Sequence, residues 1–325
     1  MNRIFTLFIL LGCFYSIQAQ QSPQYSLYML NKYGLNPAYG GFDNSLSISG
    51  VLRKQWVDLE GSPFTQQVNA HIPLYIIRGG MGIVVENDIL GASRVSSATL
   101  SYNYWIPVNK KSVFSIGLSG GIVQRALDGA ELRAPDGEYE GGTIQHNDDQ
   151  LPTGLETAIA PTVSAGVYYQ AAKFEVGFSS VNILGNEVKF SDGSTNTNIE
   201  QKRHYMFFAA TNFEIGSMLE VMPSVLLKSD VEQTQAELSA LVRYNGNIFG
   251  GASIRGYNQN TLDAVVLIVG MKINDKTTIG YSYDLTLSDL NSVSTGSHEI
   301  SINYNLNKTI GGGVPPPIIY NPRFL

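Results

Sequence analysis

The sequence predicts an all-β protein, a transmembrane antiparallel barrel of about fourteen strands. Three observations predict it. An export signal opens the chain, and behind it short β-prone segments alternate apolar with small polar residues. The links between them are alternately short and long. Gln170–Lys173, Gly216–Ser217, Asn245–Gly246 and Asn274–Lys276 are short; Ala126–Thr157, Asn182–Gln201 and Thr286–Gly296 are long. Tight turns at one end and larger loops at the other are what an outer-membrane barrel requires.

The amino terminus reads as a signal peptide over residues 1–19. Asn2 and Arg3 precede the apolar run Ile4–Leu11, and Ser16-Ile17-Gln18-Ala19 supplies a small residue for cleavage. Leu10-Leu11-Gly12-Cys13 is a competing lipobox, but apolar character continues through Phe14, Tyr15 and Ile17. With cleavage after Ala19, the single cysteine leaves with the signal, so no disulfide holds the mature chain. No later stretch has the roughly 18–20 apolar residues of a membrane helix. An exported chain that enters a membrane without helices must close its backbone hydrogen bonds in a barrel.

Composition agrees. Only 15% of residues are charged, and there are 33 glycines and 18 tyrosines. Tyrosine suits an interfacial belt, because its ring is apolar and its hydroxyl wants water. The net charge of −6 gives no basic surface and excludes nucleic acid as a partner.

Residues 20–43 precede the barrel as a periplasmic segment or a plug. Pro37 disfavours a helical Asn36, and Gly40-Gly41 permit positive φ, so a sharp turn leads into the first strand. The barrel spans 44–306. Its strands are expected at 44–54, 64–73, 79–87, 94–106, 112–125, 158–170, 173–182, 202–215, 218–229, 235–244, 247–256, 262–273, 276–285 and 297–306. Twelve strands are the alternative if a hairpin is miscounted. In 112–124, Phe114, Ile116, Leu118 and Ile122 oppose Ser115, Gly117, Ser119 and Gly121. In a barrel the apolar face meets lipid and the small polar face lines the lumen. The stretch Leu262–Met271 is apolar on both faces, which suggests packing against a plug or a terminal segment. Glycines within strands are explained by a curved wall. A tail, 307–325, joins Gly311-Gly312-Gly313 to Pro315-Pro316-Pro317 and ends in an apolar tip around Arg323, a hinged spacer with a docking peptide.

Arg53 and Trp56 stand at the outer end of the first strand. Trp56 is expected as an interface anchor, and Arg53 as a lumen partner of a carboxylate such as Glu175 or Glu237. Glu299 shares the lumen-facing side of the last strand. The loop 128–150 carries Asp128, Glu131, Asp136, Glu138, Glu140, Asp148 and Asp149. Such a carboxylate set can bind Ca2+, although its spacing matches no EF-hand, and a solvated acidic loop is the plainer reading. The loop is also the largest external surface for a partner. His298-Glu299 is no metal pair, because neighbours in a strand point to opposite faces. No phosphate loop or zinc spacing occurs, and no cofactor or small-molecule substrate is indicated.

The opening Gln21-Ser22-Pro23-Gln24-Tyr25-Ser26-Leu27-Tyr28-Met29-Leu30-Asn31, followed by Asn36-Pro37-Ala38-Tyr39, resembles the PorP/SprF family. So do Arg53-Lys54-Gln55-Trp56, His71-Ile72-Pro73, Asn87-Asp88-Ile89-Leu90-Gly91, Tyr102-Asn103-Tyr104-Trp105 and Gly296-Ser297-His298-Glu299. The tail Asn321-Pro322-Arg323-Phe324 completes an ordered set. Family members commonly have Asp where Ser22 stands and Ala where Gly40 stands. The resemblance implies a non-enzymatic outer-membrane component of type IX protein secretion in Bacteroidota, resting on the lipid bilayer and on protein partners. Those partners are the periplasmic ring of the machine or a secreted surface adhesin of gliding or attachment. Pro23, Tyr25, Tyr28, Asn36, Pro37, Tyr39, Pro322, Arg323 and Phe324 are the docking candidates. A terminal segment packed inside the barrel is the plainer reading of the first six. A diffusion channel or hydrophobic-solute transporter is the competing function, and an outer-membrane hydrolase a third.

Overall fold

The computed structural model describes residues 22–140, 143–148, 151–190, 198–257, 261–308 and 310. The expected signal peptide, residues 1–19, and the 311–325 tail, with Pro322, Arg323 and Phe324, lie outside the described residues. The strands are β1 (Ser47–Lys54), β2 (Phe64–Leu74), β3 (Gly79–Leu90), β4 (Ser93–Asn109), β5 (Ser112–Asp128), β6 (Leu155–Ala171) and β7 (Phe174–Val181). A small hairpin follows, β8 (Glu187–Lys189) with β9 (Asn198–Glu200). Then come β10 (His204–Thr211), β11 (Phe213–Ile215), β12 (Leu219–Ser229), β13 (Thr234–Tyr244) and β14 (Ile248–Tyr257). β15 (Thr261–Asn274), β16 (Thr277–Thr286) and β17 (Ser297–Asn305) complete the wall.

Each wall strand pairs antiparallel with its sequence neighbours, β1 pairs with β17, and β10 pairs with both β7 and β12. β11 continues β10 past Asn212, so the closed barrel has fourteen strand positions. No described helix is long and apolar enough to cross a membrane. Closure leaves no sheet edge in hydrocarbon, where an unpaired backbone group would cost several kcal/mol.

Alternation points as lipid demands. In β1, Ile48 and Leu52 are exposed while Ser47, Ser49, Val51 and Arg53 are buried. In β5, Ile116 and Leu118 face out and Ser115 is fully buried. β15 explains its double-sided apolarity. Leu267, Val269 and Met271 face outward, whereas Val266 and Ile268 are buried against the segment that fills the lumen.

Several strands run past their expected ends: β3 to Leu90, β4 from Ser93 to Asn109, β5 to Asp128 and β6 from Leu155. Apolar alternation fades at Glu86-Asn87-Asp88, but the ladder hydrogen bonds persist into water beyond the hydrocarbon. Nor is the link parity strict. The long links 55–63, 129–154, 182–203 and 287–296 share one end, the outer one, but 91–92 and 230–233 at that end are short. The opposite end carries only tight turns and both ends of the barrel chain, where Ser45 Oγ accepts from Lys308 N at 3.0 Å.

A charge placed on the outward face is the direct check of this orientation. Leu267→Arg, midway along β15, is expected to destabilise the barrel by about 2–4 kcal/mol in urea titrations from lipid vesicles. An effect below about 0.5 kcal/mol would contradict a lipid-facing Leu267.

Candidate functional site: a plugged lumen and its ionic seat

Residues 22–46 fill the barrel in three short turns, Tyr28–Leu30, Lys32–Leu35 and Pro37–Tyr39. Asparagines punctuate them. Asn36 is extended, as a residue before proline prefers, and its Oδ1 accepts from Ala38 N at 2.9 Å, capping the last turn. Its Nδ2 donates to the carbonyls of Val167 (3.0 Å) and Phe178 (3.2 Å), which ties that cap to the wall. The wall thins to receive it. A Cβ at Gly117 would lie 2.5 Å from the Ala38 nitrogen, and one at Gly166 would lie 2.1 Å from Asn36 Oδ1. These strand glycines are therefore places where a second backbone approaches, beyond the wall curvature expected of them.

The seat is ionic. Arg53 on β1 reaches Asp284 on β16 at 2.8 Å and Glu299 on β17 at 3.2 Å. Arg255 on β14 reaches Asp284 and Glu237, each at 2.7 Å. All five side chains are buried. Three carboxylates face two guanidiniums, so the cluster needs further donors. The plug supplies them: the backbone N–H groups of Ser26 and Leu27 donate to Glu299 at 2.7 and 2.9 Å. Ser26 Oγ donates to Asp284 at 2.9 Å and accepts from Arg53 (2.9 Å) and Arg255 (2.5 Å). Charge-assisted bonds of this kind are the strong ones.

Polar pairs continue along the segment. Pro23 is half-buried, and its carbonyl accepts from Lys228 Nζ at 3.0 Å. The Tyr25 hydroxyl donates to Glu86 and accepts from Gln67 at 3.0 Å. Tyr28, fully buried, shares its hydroxyl with Ser239 at 2.8 Å and sets its ring edge on Phe208. Asn31 bridges Gln67 (2.6 Å) and Asn69 (2.7 Å). Lys32 pairs with Glu175 at 2.8 Å, a carboxylate that also accepts from Tyr168 at 2.6 Å. Tyr33 meets Ser101 at 2.7 Å, and burial pushes its hydroxyl pKa up to about 12. Tyr39 donates to Asp43 at 2.7 Å and packs on Tyr168. Burial acts to raise the Asp43 carboxyl, but hydrogen bonding and charge from His71, with Ser47 and Tyr39, outweigh it and hold it at about 2.

The plug thus gathers Tyr25, Tyr28, Asn36, Pro37 and Tyr39 inside the lumen, packed against the wall. Two named partners change. Arg53 pairs with Asp284 and Glu299, not with Glu175 or Glu237, because β1 closes on β17 and those two carboxylates stand on β7 and β13. Trp56 sits half-buried in the outer 55–63 link with φ 49, its backbone N–H donating to Ser297 Oγ at 3.1 Å. In the acidic loop Asp128 Oδ1 caps the Gly129–Glu131 turn at 3.0 Å, and Glu138 bridges Gln145 through both backbone groups. Among the described residues no three acidic, histidine or cysteine side chains converge as metal ligands.

Ser26, Arg255 and Asp284 carry the seat without being among the expected site residues, and Glu237 belongs to it as the partner of Arg255. Parity was the available signal: the three carboxylates that pair with Arg53 or Arg255 each precede an outward apolar residue, Leu238, Leu285 or Ile300. Space remains on both sides of the plug. A cavity of about 400 Å³ lies toward the outer end, between the plug and the upper parts of β3–β7, and reaches Arg125, His204 and Ile199. A smaller one, about 90 Å³, opens between Met29, Leu30, Phe249 and the turn-side ends of β12–β17.

The wall architecture is that of known outer-membrane barrels. The CymD monoaromatic hydrocarbon channel aligns at TM-score 0.50 and 13% identity, over 87% of this chain and 93% of its own. The toluene transporter TbuX of Ralstonia pickettii aligns at TM-score 0.51 and 11% identity, over 84% and 92%. At such identity the likeness is one of fold. No curated protein matches the sequence. The family model for the type IX secretion system membrane protein PorP/SprF matches residues 17–304, which reach into the last strand. The chain belongs to the PorP/SprF family, and its barrel is an outer-membrane component of type IX secretion.

Proposed function

We propose that this protein is an accessory of type IX secretion that works by protein–protein contact, anchoring or displaying a secreted surface adhesin or linking the outer membrane to the periplasmic ring. The observation that carries this reading is the occupied lumen in a chain of this family. A segment with almost no exposed side chain fills the barrel, so the wall serves as a platform whose loops and ends meet partners. No bond chemistry is assigned to it. The 311–325 tail is proposed as the periplasmic docking peptide. The competing reading, a diffusion channel or hydrophobic-solute transporter, draws on the fold shared with CymD and TbuX and on the outer cavity.

The seat keeps the plug in place. Removing one partner of a buried ion pair leaves charge uncompensated and costs about 3–5 kcal/mol, more than the pair itself contributes against an apolar replacement. Arg255 holds two carboxylates and Ser26 at once, so its loss is felt by wall and plug together.

Two outcomes are expected. Arg255→Met should lower the unfolding free energy by about 3–5 kcal/mol and bring residues 22–31 within reach of added protease, whereas a protected segment would contradict the seat. Gentle detergent purification from native membranes should recover an adhesin or a ring component, and a chain lacking residues 311–325 should recover less while still migrating as a heat-modifiable barrel. A full-length protein that emerges alone would contradict the accessory role.

A further inference from the structure

The wall has a notch at its outer rim. β6 runs for seventeen residues, but β7 covers it only from Gln170 to Ala165. Above that level the chain leaves the wall at Val181 and rejoins it at His204, and between these points its small hairpin turns inward. Val188 and Phe190 pack on Val123, Ala158 and Ala160, the lumen face of β5 and β6. The hairpin covers the inner face, and among the described residues no strand pairs with the edge of β6 beyond Pro161.

The phase of the ladder identifies the open groups. In an antiparallel pair each residue aims both its N–H and its C=O at one neighbour, alternately left and right. Gly129 N donates to Gly154 O at 2.9 Å, so the even-numbered residues of β6 face β5. The odd-numbered ones face away: Val163 O accepts from Ile183 N at 2.9 Å, and Pro161 O accepts from Asn186 Nδ2 at 3.2 Å. Beyond Pro161, among the described residues, Leu155, Thr157 and Ile159 have no backbone partner on that side. Leu155 and Ile159 are also 67% and 66% exposed.

We propose that this edge binds an extended strand of an exported polypeptide at the outer surface, by strand addition to β6. The inference rests on the accessory role above and gives it a contact site. An unpaired edge with apolar side chains on its outward face templates a further strand, main-chain hydrogen bonds supplying affinity and side-chain neighbours register. Leu155 and Ile159 would meet apolar residues of the incoming strand as cross-strand pairs. Pro161 has no N–H and terminates the ladder, so the site takes a short segment. A second copy of this chain fits poorly. Two barrels in one membrane point β6 the same way, so their edges could pair only in parallel, the weaker ladder, over three residues. The position beside the 129–154 loop puts the site where a partner on the cell surface arrives.

The alternation supplies its own test. Proline at 157 or 159 removes an outward donor and leaves every bond to β5 intact, whereas alanine keeps the donor. Full-length protein is purified gently from the producing cells with each substitution, and the exported polypeptides retained are quantified against wild type. Thr157→Pro and Ile159→Pro should each lower retention at least tenfold, with heat-modifiable migration unchanged. Thr157→Ala and Ile159→Ala should change it less than about threefold. Equal retention in the proline variants would overturn the edge and leave the accessory role standing; a wild type that retains no exported polypeptide would remove both. Loss only of a second copy of this chain would also overturn the proposal, in favour of self-pairing. In the isolated protein in nanodiscs, the Thr157 and Ile159 amides should exchange at least a hundredfold faster than those of Ala158 and Ala160. Equal protection would show the edge already covered.

Discussion

Glu299 takes two consecutive backbone N–H groups, from Ser26 and Leu27, and the interior of this barrel depends on that contact. The strand charges alone do not balance. Two guanidiniums and three carboxylates are held out of water, and desolvation of such groups is offset only when further hydrogen bonds supplement the ion pairs. The segment 22–46 brings donors to Glu299 and Asp284, while Glu237 Oε1 has no hydrogen-bond partner among the described residues, and the same segment brings its own tyrosines to the serines of the wall. Wall and plug are therefore one polar network in a lipid-coated shell.

The outer surface obeys a different rule. Hydrocarbon offers no hydrogen bonds, so closure through β1–β17 and β10–β12 is obligatory, and side chains outward of it are apolar. Above the membrane that obligation lapses. Strands lengthen, β7 stops early beside β6, and a hairpin folds inward. The features open to partners, the long links and the edge of β6 that no described strand pairs, gather at the end where water relieves the constraint.

How much of this was legible in the sequence follows from the same division. Alternation in β1, β5, β6 and β17 is written into the chain because lipid reads every outward residue, and all fourteen wall positions follow from it. The inward position of Arg53 and Glu299 is legible too, since they share the polar parity of directly paired strands. Arg53's partners were not: ring closure, not sequence distance, sets Asp284 beside it and sends Glu175 to Lys32. Strand ends in β3–β6 were missed where alternation fades but the ladder continues. The open edge of β6 was hidden because it depends on where its neighbour ends.

The central claim is that the lumen is sealed by its own amino-terminal segment. Single-channel recording in planar bilayers tests it most directly. The intact protein should give no steady conductance, and a variant lacking residues 22–42 should open stable ion-conducting pores. Steady conductance from the intact barrel would contradict the account and return it to the class of diffusion channels.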